Sequence, residues 1–483
     1  MDAPTFFWHD YETFGRDPRR DRPAQFAGVR TDAALNEIAP PVMLHCQPAP
    51  DYLPDPESCL LTGITPQHAL AHGVSEHAFA AAVEAELAAP GTVGVGYNSI
   101  RFDDEVTRFL FWRNLVDPYA REWKNGCGRW DLLDVVRCTY ALRPEGLEWP
   151  RGDDGRVTFR LEKLTAANGI AHEAAHDALS DVRATIALAR LLRATKPRLW
   201  TFLLERRSRQ AVADEIAAAQ RALVPLLHVS GRYAVERGCL ALVWPLAAHP
   251  TNRNEVIVWD LAEDPRQLDG LKADEVRSRL FTRSDELPEG VARLPLKTIH
   301  LNRAPVVIAN PKVLTPAMAE RWSVDAARVA RHLDEARRLA PSLQSLWPDV
   351  FTRPAPDRPL DVDEDLYGGF VGDADRRALE RLRALRPDDL AVRRPAFADP
   401  RLDELLFRYR ARNFPATLTD DERTRWARHC ADRLHRGAGG ARTLAAYQAR
   451  LDELAEAHAD DERAQALLEA LVDYAEAVAV DDR

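Results

Sequence analysis

The stretch TFFWHDYETF (residues 5–14) interrupts an apolar run with two carboxylates, Asp10 and Glu12. An apolar run of this length reads as a buried strand, and side chains two apart on a strand share one face. Both carboxylates therefore leave one rigid element in the same direction. Two like charges so placed cost free energy unless a cation lies between them. The chain must bring other groups to that face.

Further carboxylates and a histidine follow in chain order. GYNSIRFDDE carries Asp103, where a strand-like segment passes through a loop into a helix, and HDALSD carries His176 and then Asp181. A spacing of five takes those two off a common helix face. His176 is thus expected in the loop before a helix, as a proton carrier, and Asp181 on the second turn, as a fixed ligand. Their neighbours Asp104 and Asp177 read as caps or as first-turn charges that favour the helix dipole. Asp and Glu with one histidine and no cysteine make a hard, oxygen-rich site, which suits Mg²⁺ or Mn²⁺ better than zinc. Two such ions roughly 3.5–4 Å apart can hold a phosphodiester in line. The histidine would take the proton from the attacking water, a contribution of roughly 10²–10⁴ in rate.

With 483 residues the chain exceeds one core and implies two to four domains. No apolar run approaches a membrane span and no export signal opens the chain, so a cytoplasmic protein is expected. Six cysteines without a CxxC pair (46, 59, 127, 138, 239 and 430) fit a reducing compartment. The first ~195 residues alternate strand and helix patterns, which implies a central mixed sheet with flanking helices. TFFWHDYETF, AQFAGVRTD, PPVMLHCQ and GTVGVGYN read as its strands, and WDLLDVVRCTYAL and HDALSDVRATIALARLLRAT as two of its helices. From Leu226 to Asn310 short β-rich runs separated by turn residues read as a small barrel-type β-domain. A Pro- and Asp-rich linker (346–365) leads to an acidic, helical remainder.

The net charge of −10 argues mildly against a nucleic-acid partner, but local patches argue for one. RFLFWRNLVDPYAREW (108–123) interleaves Arg108, Arg113 and Arg121 with aromatic residues, a composition suited to a single-strand path. Phe109 and Trp112 read as core. RLLRATKPRLWTFLLERRSRQ (190–210) is densely basic, with Glu205 its only acid.

The ordered set D-x-E, N-x₄-D, H-x₄-D resembles the DEDDh branch of the DEDD exonuclease superfamily. HDYETFG, DRPAQFAGVRTD, YNSIRFDDEVTR, RWDLLDVVR, YALRPEG, FRLEKLTAANGI and RYRARNFPATL look like the bacterial exodeoxyribonuclease I family, across nearly the whole chain. The resemblance implies an α/β ribonuclease H-like exonuclease domain with a mixed sheet (1–196), a small Src-homology-3-like β-barrel domain (197–348) and an all-helical C-terminal domain (349–483). It implies Asp10, Glu12 and Asp181 as metal ligands, Asp103 completing the acidic set, and His176 as general base. Glu12, Arg108, Tyr119, Trp123, Arg137 and Arg160 are implied as substrate contacts. The implied cofactor is a pair of Mg²⁺ ions, which Mn²⁺ can replace. The implied activity is a 3′–5′ exonuclease on single-stranded DNA that releases 5′-mononucleotides in DNA repair and recombination. A monomer that docks the acidic tail of the single-stranded-DNA-binding protein is also implied. The rivals are an exoribonuclease of the same superfamily and a non-catalytic single-strand-binding scaffold.

Overall fold

The computed structural model describes residues 4–172, 177–352, 360–393 and 395–481. Strands β1 (Thr5–Thr13), β2 (Pro23–Thr31) and β3 (Val42–His45) come first, then helices α1 (Pro56–Thr62), α2 (Pro66–His72) and α3 (Glu76–Leu87). β4 (Thr92–Gly96) precedes α4 (Asp103–Arg113). β5 (Gly128–Asp131) precedes α5 (Leu132–Leu142), α6 (Leu161–Ala167), α7 (Ala178–Thr195), α8 (Pro197–Glu205) and α9 (Arg209–Ala222). Five short strands follow, β6 (Leu226–Val229), β7 (Leu240–Ala248), β8 (Glu255–Asp260), β9 (Leu296–His300) and β10 (Val306–Ile308). Beyond Asp373 the regular elements described are all helical.

Most of the expected strands and helices are present. The expected helix in WDLLDVVRCTYAL starts later than its apolar spacing suggested. Trp130 and Asp131 belong to β5, and the Asp131 carboxylate caps α5 by accepting from the Leu133 N–H at 3.0 Å. The proposed linker 346–365 contains a short helix at Trp347–Phe351. Among the described residues no helix is long and apolar enough to cross a membrane.

The chain forms two compact units, Met1–Gly128 with His172–Arg183 and Pro356–Arg483, and Arg129–Ala171 with Ala184–Ala355. In the first unit β1 lies between β2, antiparallel, and β4, parallel, and β3 flanks β2. Seven of the nine β1 residues are buried, so both faces of this strand are covered. One face turns Phe7 and Tyr11 onto Phe26, Phe79 and Val83. Gly28 on β2 is required there, because a Cβ would lie 2.2 Å from the Phe7 ring. The opposite face carries Asp10 and Glu12.

The C-terminal helices complete this unit. Leu405, Leu406 and Tyr409 pack on Phe109, Trp112 and Leu115 near the end of α4, so Phe109 and Trp112 are core residues, as expected. Tyr447, Leu451, Leu468 and Leu471 enclose Phe14, Tyr52 and Cys59. A buried ion cluster joins the same parts, with Arg412 2.6 Å from Asp51 and 2.5 Å from Asp363.

In the second unit β10-β6-β7-β8-β9 form an antiparallel sheet. Val212 and Ile216 of α9 pack onto Val243, Val258, Ile299 and Val307 of that sheet. The β-rich texture of residues 226–310 thus corresponds to one five-stranded sheet.

Candidate active site

Period-two alternation aims Asp10 and Glu12 together, and α7 supplies Asp181. Each of these three carboxylates offers an oxygen within 4.8 Å of the others. Asp181 lies in the first turn of α7, one turn earlier than expected, because Asp177 starts the helix. The Asp177 carboxylate accepts from the Ser180 N–H at 2.9 Å, and its carbonyl accepts from the Asp181 N–H at 3.0 Å. The capping role read for Asp177 is the one observed.

Asp103 opens α4 and is buried. Its Oδ1 accepts from the Tyr11 N–H at 3.1 Å, which joins the helix start to the strand that carries Asp10 and Glu12. Asp104 lies in the first turn of α4, one of the two places expected of it. It pairs in the interior with Arg121 at 2.6 Å.

The electrostatics are those of crowded acids. Burial, then Asp103, Glu12 and Asp181, push the Asp10 carboxyl well above the usual carboxylate range. Burial, then Asp181, Asp103 and Asp177, raise Glu12 to about 8. Each of these groups is held against its neighbours' charge, and a divalent cation at their common point would relieve the repulsion. Oxygen donors on one sheet face and one helix turn fit a hard divalent ion.

Two further histidines are resolved by the geometry. His9 adjoins Asp10 in sequence but stacks with Phe7 and Phe26 on the other face, and burial and Arg121 lower it to about 4. It is a neutral core residue. His172 was not singled out from the sequence, yet its Nε2 lies 2.5 Å from Asp181 Oδ1. The signal available was its position in the same short segment as His176. His176 itself lies outside the described residues.

The expected substrate contacts divide by exposure. Trp123 is 65% exposed, and Arg160 is exposed at the start of α6. Arg108 is 3% exposed. It is held by Glu122 at 2.7 Å and Glu105 at 2.8 Å, with its guanidinium 5.4 Å from the Tyr119 ring centre. Arg137 pairs with Asp134 at 2.7 Å. Arg113 and Arg121, read from sequence as part of a basic path, are buried in pairs with Glu76 and Asp104 and do not present charge to solvent. Phe370, not singled out from the sequence, lies in the Gly-rich segment YGGFVG and is 89% exposed, with its ring centre 6.3 Å from that of Tyr119.

Three carboxylates converging on one point of a mixed sheet, beside a helix that opens on a fourth, define an exonuclease domain of the divalent-metal-dependent class. A family model described as Exonuclease matches residues 7–189. Models of the Exonuclease I SH3-like domain and the Exonuclease I C-terminal domain match residues 207–353 and 360–478. Exodeoxyribonuclease I of Escherichia coli is 45% identical over 475 residues, 98% of each chain. That of Haemophilus influenzae is 44% identical over 97% of this chain and 98% of its own. The chain belongs to the exodeoxyribonuclease I family. Among solved structures, Exonuclease I of Methylocaldum szegediense is similar with TM-score 0.92 and 49% identity, over 99% of this chain and 100% of that one. E. coli Exonuclease I in complex with a dA16 oligonucleotide is similar with TM-score 0.92 and 45% identity, over the same shares of the two chains. The fold is therefore an α/β ribonuclease H-like exonuclease domain followed by an SH3-like domain and a helical C-terminal domain.

Proposed function

We propose that this protein is a cytosolic, monomeric 3′–5′ exonuclease on single-stranded DNA that releases 5′-mononucleotides and serves DNA repair and recombination. The observation that carries the reading is the convergence of Asp10, Glu12 and Asp181. Those residues would hold two Mg²⁺ ions, which supply Lewis-acid stabilisation for the attacking water and the leaving oxygen. Asp103 fixes the approach of α4 to the strand through the Tyr11 N–H. His176, five residues before Asp181, takes the proton from the attacking water. His172 orients the Asp181 carboxylate through its 2.5 Å hydrogen bond.

Trp123 and Tyr119 stack on bases, and Arg160 and Arg137 contact phosphates. Arg108, balanced by Glu105 and Glu122, supports the Tyr119 ring. The oligonucleotide complexes of the E. coli relative support a single-stranded substrate. A solved structure of SSB with Exonuclease I supports docking of the single-strand-binding protein, here through its acidic tail as the family resemblance implies.

The test is digestion of end-labelled single-stranded DNA, duplex DNA and RNA with Mg²⁺ and with EDTA. Mg²⁺-dependent release of 5′-mononucleotides from the 3′ end of single-stranded DNA is expected, and its loss in Asp10→Ala and Asp181→Ala. Near-normal activity in either variant refutes the site. Faster digestion of RNA transfers the reading to an exoribonuclease.

A further inference from the structure

Two Asn-Gly pairs occur in the chain, Asn125 with Gly126 and Asn168 with Gly169. Such a pair cyclises readily, because glycine has no side chain to shield its backbone nitrogen from the asparagine Cγ. The reaction needs a side-chain amide that is free to turn and a peptide N–H that nothing holds. The fold treats the two pairs oppositely.

Asn168 is locked. Its Nδ2 donates to the Glu148 and Leu164 carbonyls at 2.9 Å each, and its Oδ1 accepts from the Glu148 N–H at 2.9 Å. The nucleophile is engaged as well, since Gly169 N–H donates to the Ala166 carbonyl at 3.2 Å. Cyclisation at this pair has to break all of these bonds.

Asn125 is open. It and Gly126 are exposed and left-handed, with φ of 55° and 77°, and Cys127 N–H closes the turn onto the Lys124 carbonyl at 3.0 Å. Among the described residues neither the Asn125 side-chain amide nor the Gly126 N–H has a hydrogen-bond partner. A Cβ added at Gly126 would meet nothing nearer than Gly91 at 3.8 Å, so the space around the nucleophile is open too. The Asn125 carbonyl accepts from the Gly91 N–H at 3.0 Å, which ties the turn to the residue before β4.

We propose that Asn125 is a site of spontaneous modification that weakens the hold on single-stranded DNA. The Gly126 nitrogen bonds to Asn125 Cγ as the Cγ–Nδ2 bond breaks, and ammonia leaves with the proton that the peptide nitrogen gives up. Water then opens the cyclic imide at either carbonyl and leaves aspartate or isoaspartate. Each product carries a carboxylate where the chain had a neutral amide, and isoaspartate also lengthens the backbone by a methylene. Trp123, 65% exposed, precedes the turn directly. The effect on binding rests on the reading of Trp123 as a strand contact, since a negative charge beside it repels the phosphates of a bound strand.

Peptide mass maps of the full chain, aged folded and in denaturant side by side at mildly alkaline pH, test the chemistry. Conversion at Asn125 and none at Asn168 is expected in the folded chain, and conversion of both in denaturant. An unchanged Asn125 in the folded chain, or conversion of Asn168 at the same rate, overturns the site. Single-strand affinity across a salt series, before and after ageing, tests the consequence. Aged wild type and fresh Asn125→Asp are expected to bind about 2–5-fold more weakly than fresh wild type at low salt, with the gap closing as salt screens the charge. Asn125→Gln, whose longer side chain closes a larger ring far more slowly, should keep its fresh affinity on ageing. Full conversion without loss of affinity overturns the effect on binding. Fresh wild type that fails to bind single-stranded DNA counts against the functional reading, whereas the mass maps alone judge the chemistry at Asn125.

Discussion

Removing the Glu12 charge should kill catalysis and stabilise the metal-free protein, by an amount that depends on pH. Glu12 is 9% exposed, and burial followed by Asp181, Asp103 and Asp177 raises its carboxyl from 4.5 to about 8. Below pH 4.5 the group is protonated in both folded and unfolded chains and costs nothing. Between 4.5 and 8 the unfolded chain ionises while the folded chain stays protonated, so stability falls as pH rises. Above 8 the cost is complete. At about 1.4 kcal/mol per pKa unit, the rise to about 8 corresponds to a cost on the order of 5 kcal/mol, shared with its coupled neighbours.

Glu12→Gln should therefore leave Tm in EDTA almost unchanged at pH 4.5–5 and raise it at pH 8.5. Calorimetry of Mg²⁺ binding in buffers of different ionisation enthalpy supplies the second measurement. Ion binding should expel protons from the wild type at pH 6 and fewer from Glu12→Gln, because Asp10 and Glu12 are both raised and ligands bind as carboxylates. A Tm difference independent of pH, or Mg²⁺ binding at pH 6 without proton release, would refute the crowded-carboxylate argument.

Three other outcomes are expected. His176→Ala should lower kcat by roughly 10²–10⁴ with Mg²⁺ affinity retained, whereas His172→Ala, which loses an orienting partner of Asp181, should weaken Mg²⁺ binding by about 10–100-fold; calorimetry and steady-state kinetics separate the two roles. Trp123→Ala should cost about 1–3 kcal/mol of single-strand affinity without altering the salt slope, while Arg160→Glu should flatten that slope by about 0.7–1 for each phosphate left unneutralised, read from affinities across a salt series. Arg412→Met leaves Asp51 and Asp363 buried without that partner, so it should lower stability by about 3–5 kcal/mol in chemical denaturation while the metal cluster stays intact.

The face that gathers the carboxylates was legible in the sequence because its cause is local. Alternation along a strand makes D-x-E a one-sided pair whatever the rest of the chain does, and oxygen donors without cysteine already select a hard ion. The short strands between Leu226 and Asn310 were legible for the same reason, through turn residues at close intervals. The fate of charged residues was not. Arg108, Arg113 and Arg121 read as one basic path, yet each is enclosed by a carboxylate partner. The Glu76 that takes Arg113 is 37 residues away, and the Asp51 that takes Arg412 is 361 residues away. Periodicity records which way a side chain leaves its own element. Its partner, its exposure and the charge it feels come from elements that only the folded chain brings near, and those decided which arginines are free to meet a phosphate.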